Sequence, residues 1–296
     1  MYYNNDMKNI LNFTIYILFF AVLSSLIFTL LYMQFDEQPM LALNKAIKYG
    51  AILLCGIFIV PALKASKLYQ RQLVGYLEPK PIFLLNILKG FLTSILLLAP
   101  LICFFAYLDI RIFDLNSIIF DQYFLFTIIF TVFISFLVGI IEESFFRGIM
   151  IQKNSNLIIT SIVVFFGSAV YSIFHFIKII LIIDEVIYWN TGLTELFKAF
   201  GNIFNIMQYD AALTLLVFGI FLAVIRLSLK TISYGIGLHA GFIFIIKTTK
   251  QVSNVDLNSE HKYLVSNHDQ FLGPASTIWI TTLLIIYLFY KFKARR

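Results

Sequence analysis

Residues 123–151 read YFLFTIIFTVFISFLVGIIEESFFRGIMI, and this stretch decides what kind of fold the chain can adopt. Its first nineteen residues carry no charge. A helix of about 20 apolar residues crosses roughly 30 Å of hydrocarbon, so the segment is long enough to span a bilayer. Glu142, Glu143 and Arg147 then follow in quick succession. An ionisable side chain at the centre of a span costs about 2.5–3.5 kcal/mol on insertion scales, so such a cluster points to function.

Seven more apolar segments flank this one: Ile10–Met33, Ala46–Leu63, Ile82–Leu108, Leu157–Ile183, Ala211–Leu229, Ile232–Ile246 and Pro274–Tyr290. The chain is 60% hydrophobic and 13% charged, against roughly 25% charged in soluble domains. No water-soluble fold of this size covers so much apolar surface with so few charges. The expected fold is all-α, a polytopic transmembrane bundle of about eight spans. The first segment is too long for the apolar region of a signal peptide and has no small-residue cleavage site, so it reads as a permanent span. Residues 1–122 hold spans one to three, 123–250 the chemistry-bearing core, and 251–296 the final loop, span eight and a basic tail.

The net charge of +6 is no nucleic-acid signal, because the cations sit in short connections where they set orientation in the bilayer. Lys64, Lys67, Arg71 and Lys80 join spans two and three, Lys153 follows span four, Lys230 follows span six, and Lys291, Lys293, Arg295 and Arg296 close the chain. The alternate connections are acidic or mixed, with Asp109, Arg111, Asp114 and Asp121, then Asp184, Glu185, Glu195, Lys198 and Asp210. Positive-inside logic puts both termini in the cytoplasm of a cell-membrane protein. Aromatic residues make 184–210 an interfacial or re-entrant piece. Cys55 and Cys103 lie in apolar runs and read as packing residues rather than a disulfide. His261 and His268 sit in a polar loop and read as solvated.

Two of the four histidines lie inside spans: His175 in Tyr171-Ser172-Ile173-Phe174-His175, and His239 among Gly235, Gly237 and Gly241. Glycines at such spacing let neighbouring helices approach closely. On a helix Glu143 and Arg147 share a face and can pair, whereas Glu142 is turned about 100° away and faces something else. One carboxylate with two imidazoles can activate water and stabilise an oxyanion. The same three side chains can equally supply zinc ligands. The absence of a His-Glu-x-x-His helix favours no metal, with zinc the alternative.

The order Glu142-Glu143-x-x-x-Arg147, Tyr171-x-x-x-His175, then a glycine-flanked His239 resembles the CPBP family, which comprises CAAX prenyl endopeptidases of the Ras-converting type and the bacterial Abi proteins. The resemblance covers about Tyr123 to Lys250. It implies an intramembrane endopeptidase acting on a membrane-associated protein or peptide. Glu142 would be the base that activates water, Glu143 and Arg147 a supporting pair, His175 the group that positions water or polarises the scissile carbonyl, and His239 an oxyanion donor. Two positions depart from the family pattern: Tyr171 stands where Phe is usual, and Ile243 where Asn or Asp is usual. Tyr171, one turn before His175, is the nearest substitute donor. The alternative is a catalytically weak or inactive scaffold of the bacteriocin-immunity type. A transporter is disfavoured, since the hydropathy shows no inverted repeat.

The active site is expected to open toward the cytoplasmic half. One geometric mismatch stands. Counted from the polar turn at 153–156, Glu142 is eleven residues back and His175 nineteen on, or about 16 Å against about 28 Å of depth. A kink, a tilt or a longer fourth helix has to bring them level.

Overall fold

The computed structural model describes residues 3–35, 42–65, 74–113, 121–151, 156–177, 179, 186–206 and 208–294. Of the residues used above to orient the chain, Lys67, Arg71, Asp114, Lys153, Asp184, Glu185, Arg295 and Arg296 lie outside these.

Each of the eight apolar segments contributes a helix. They form α1 (Tyr3–Tyr32), α2 (Leu43–Ala65), α3 (Lys80–Tyr107), α4 (Gln122–Glu142), α5 (Leu157–Phe174), α7 (Tyr209–Leu229), α8 (Ser233–Val252) and α9 (Pro274–Lys293), with a shorter α6 (Thr191–Gly201) before α7. Local chemistry sets the ends. The Asp121 carboxylate accepts the Phe124 N–H (2.8 Å) at the start of α4, and the Asn156 side chain accepts the Ile158 N–H (2.8 Å) at the start of α5, each meeting an otherwise unpaired donor of a first turn. Pro lies in the first turn of α3 and of α9, where its missing N–H costs nothing.

Among the described residues seven helices are long and apolar enough to cross a membrane. The chain is a multi-pass membrane protein. The eighth helix, α8, is more polar and is buried through most of its first half, Ser233 to Phe242. It needs no apolar coat because protein surrounds it. It packs along α3 and α4, and a Cβ on Gly237 would collide with the Ile87 carbonyl of α3, so glycine is what permits that approach. The outer faces of α3 and α4 carry exposed Leu96, Leu125, Phe126 and Phe133, the surface a lipid-facing helix presents.

Two expectations need correction. The fifth segment does not continue as helix to Ile183: α5 stops at Phe174. The chain there tightens into i→i+3 bonds, with the His175 N–H donating to the Ser172 carbonyl at 3.2 Å and the Phe176 N–H to Ile173 at 3.0 Å, a common helix ending. His268 is not simply solvated, since its ring lies 4.7 Å from that of Phe176. Cys55 and Cys103 are both free thiols; Cys55 is buried as a packing residue, whereas Cys103 is exposed on the outer face of its helix rather than packed.

The connections on the α8–α9 side are tied together by a short antiparallel pair, β1 (Arg111–Phe113) with β2 (Ser253–Val255), in register Ile112 opposite Asn254. Buried Arg111 donates from Nε to the Ser253 hydroxyl (2.8 Å) and from its two terminal nitrogens to the carbonyls of Gln270 and Ser253 (each 2.9 Å). Sequence reading counted Arg111 only as a loop charge; it is a staple.

Candidate active site

The decisive local feature is the way α4 ends. At Glu143 the helix widens into a π-helical segment, Glu143–Ile149, directly continuous with α4. Phe145 to Ile151 are buried on every side. Single π turns inside α-helices occur often at functional sites, and here the widening begins between the two carboxylates. Nothing in the sequence signalled it.

Glu143 and Arg147 are both 1% exposed, and Glu143 Oε1 lies 3.1 Å from an Arg147 terminal nitrogen, so the expected pair forms. Two further contacts were not foreseen. Oε1 of Glu143 is also 2.9 Å from His239 Nδ1. The Arg147 guanidinium sits 4.2 Å from the centre of the Tyr171 ring, a cation–π contact. The other oxygen of Glu143 rests over Gly235, where a Cβ would come within 3.1 Å. A glycine thus makes room for the carboxylate as well as for the neighbouring helix.

Glu142 lives differently. Its side chain is 24% exposed, and its Oε2 faces both imidazoles, 3.7 Å from His239 Nε2 and 3.9 Å from His175 Nε2. These separations are too long for direct hydrogen bonds and suit one water bonded to all three groups. The two histidines are oriented from behind. The His175 Nδ1–H donates to the Tyr171 carbonyl at 2.9 Å, folding the ring back along its own helix, and Glu143 accepts the Nδ1–H of His239. Both rings therefore turn Nε2 toward Glu142. The Tyr171 hydroxyl lies 3.5 Å from His239 Nε2. The structure brings Glu142, Glu143, Arg147, Tyr171, His175 and His239 into one cluster.

The mismatch in depth has a simple origin. Helix α4 does not pair with α5 from the polar turn onward, because Ile151 already lies against Gly167, where a Cβ would meet its Cγ1 at 3.1 Å. Counted from that contact, Glu142 is nine residues back and His175 eight on, which is ~13 Å against ~12 Å of helix. Helical side chains also lean toward their own N-termini, so in antiparallel helices the two groups lean toward each other.

Glu142 lines two cavities. One, of about 300 Å³, also touches Tyr171, His175, His239 and Ile243, so the residue that departs from the family pattern does face the site. The other, of about 850 Å³, runs between α4 and α2 past Phe130, Ile52 and Phe174. Both reach Lys247 and Lys250 on the second half of α8. The opposite side is plugged. Val74 packs on Gly148, the Tyr76 hydroxyl bonds to Ser144, and the Glu78 carboxylate accepts from the hydroxyls of Thr231 and Ser233 at the start of α8. The expectation that the site opens toward the end bearing Lys230 and Lys293 is therefore corrected: it lies nearer that end but opens toward the other.

No group of three or more His, Cys, Asp or Glu side chains among the described residues is arranged to hold a metal ion. One imidazole nitrogen of each histidine is already committed to a protein acceptor.

Residues 124–245 match the family model of Rce1-like type II CAAX prenyl endopeptidases. The match covers 122 of the 296 residues and includes all six clustered residues, so this segment is similar to that family of CAAX-type proteases. No curated protein and no solved structure matches the chain.

Proposed function

We propose that the protein hydrolyses a peptide bond of a membrane-associated substrate with a water activated by Glu142. The observation that carries this reading is the convergence of His175 Nε2 and His239 Nε2 on Glu142 Oε2, at 3.9 and 3.7 Å, in the lining of one cavity. Glu142 takes a proton from the water as its oxygen attacks the carbonyl carbon, forming a tetrahedral oxyanion. Collapse breaks the C–N bond, and the same proton passes to the departing amine, leaving a new amine and a new carboxylic acid, which then loses its proton to water.

His175, held by the Tyr171 carbonyl, positions the water. His239 donates to the oxyanion from Nε2, which requires the doubly protonated ring because Nδ1–H is committed to Glu143. The buried Glu143 carboxylate stabilises that cation, and Arg147 holds Glu143 in place. Glu143 thus positions a catalytic group as well as pairing with Arg147. Tyr171 supplies a hydroxyl beside His239 on the wall where Ile243 offers none.

The test is cleavage of a library of membrane peptides, prenylated and unprenylated, by the purified protein in bilayer discs, read by mass spectrometry. Wild type yields defined products, and Glu142→Gln yields none at an unchanged melting temperature. Equal cleavage by the two would remove Glu142 from the mechanism.

A further inference from the structure

The direction of the cavities, set against the charge of the chain's two ends, says from which side a substrate arrives. Helix α8 fixes the scale. It begins at Ser233 beside Glu78, and His239 is six residues in, or about 9 Å along the axis. Lys250, where both cavities end, is eleven residues further, or about 16 Å. The rest of the lining agrees. Ser276 stands near the start of α9, Thr127 and Phe130 near the start of α4, and Asp269 in the connection between α8 and α9. All belong to the β1–β2 end of the bundle. At the other end the chain is shut by Val74–Glu78 and by Arg226, whose guanidinium lies against Gly75.

The sequence is asymmetric in the same frame. Connections, termini and the adjoining helix ends carry twelve Lys and Arg at the shut end and eight at the open end. Basic connections remain on the cytoplasmic side of a membrane. The shut end is then cytoplasmic and the open end is not.

We infer that the site is fed from the extracytoplasmic face, and that its substrate is an apolar peptide segment presented there, such as the membrane-proximal part of an exported or anchored polypeptide. This rests on the hydrolytic reading for what happens to the segment, but not for where it enters. Almost all of the surface lining both cavities is apolar, which fits a hydrophobic segment. Lys247 and the Lys250–Asp269 ion pair (3.0 Å) mark the mouth.

Thiol accessibility decides the point in intact cells, using full-length protein with Cys55 and Cys103 replaced by Ala. A membrane-impermeant maleimide is expected to label Tyr263→Cys in the open-end loop and Lys247→Cys on the cavity wall without permeabilisation. Lys293→Cys should be labelled only after it. Where Lys247→Cys does not accumulate, Gln251→Cys, which lines the larger cavity and is exposed, takes its place. Labelling of Lys293→Cys from outside, with Tyr263→Cys silent, would overturn the inference by inverting the protein. A cavity cysteine that stays silent from outside while Tyr263→Cys reacts overturns it too, since the cavity would not open there. Repeating the labelling in a Glu142→Gln background keeps this result separate from the protease reading: the pattern should be identical whether or not the protein cleaves anything.

Discussion

Glu142 and Glu143 are neighbours in the chain and live in two different regions of the molecule. On one side of the junction, Glu143, Arg147 and His239 are sealed among α8, the π segment and the Val74–Glu78 plug. On the other, Glu142 and His175 are about a quarter to a third exposed and face open cavities. One region is built for rigidity and the other for access, with His239 joining them. A carboxylate that must hold a charge in place is buried and paired. A carboxylate that must meet a substrate keeps a free face. The π segment matters because it starts at that junction and aims two consecutive side chains into the two regions.

Substitutions that blur this division should show their cost on the side they touch. The largest stability effect is expected for Arg147→Ala, which leaves Glu143 buried without its cation. Breaking a buried pair by removing one partner costs about 3–5 kcal/mol, so membrane abundance and melting temperature should both fall sharply. A variant of wild-type stability would mean that the sealed region is not held by this pair.

Next comes the wall between the regions. If Tyr171 supplies the hydroxyl that Ile243 does not, Tyr171→Phe should slow cleavage by about 10²–10³, the usual loss for one oxyanion donor, while Ile243→Asn gains little. A silent Tyr171→Phe with a faster Ile243→Asn would show that the site simply lacks that donor.

The smallest of these effects concerns the roof at the open end. Arg111→Ala removes three hydrogen bonds from a buried cation to one connection. A cost of about 1.5–3 kcal/mol is expected from the charged hydrogen bonds lost, with kcat nearly unchanged, because Arg111 itself bonds only to Ser253 and Gln270 and to none of the groups around Glu142. A large fall in kcat at unchanged stability would instead make the roof part of the chemistry.

Much of this was readable before any coordinates, and the failures have physical causes. Each apolar run became a helix because length and hydropathy specify a span almost without context. The Glu143–Arg147 pair followed from i, i+4 spacing alone. The end of α5 at Phe174 was missed because His175 to Ile183 is nearly all apolar, and hydropathy cannot tell a helix from apolar chain that leaves it. The levels of Glu142 and His175 were missed for a related reason: the polar turn marks where the chain reverses, while Ile151 and Gly167 mark where the helices meet. Glu78 and Arg111 carried no signal, since each stands alone in a connection and finds its partners some 140 to 160 residues away. The hydrogen bond from His239 to Glu143 was similarly out of reach, although the glycines that admit it, Gly235 among them, had marked α8 as a helix of close approach.

The most direct test sets the two neighbours against each other in one experiment. Glu142→Gln and Glu143→Gln are purified side by side, and cleavage and melting temperature are measured on the same samples. The expected result is a clean split. Glu142→Gln abolishes cleavage and melts as wild type, while Glu143→Gln melts lower and keeps residual cleavage. The reverse split, with Glu143→Gln inactive at full stability and Glu142→Gln active, would contradict the division of roles between the two carboxylates.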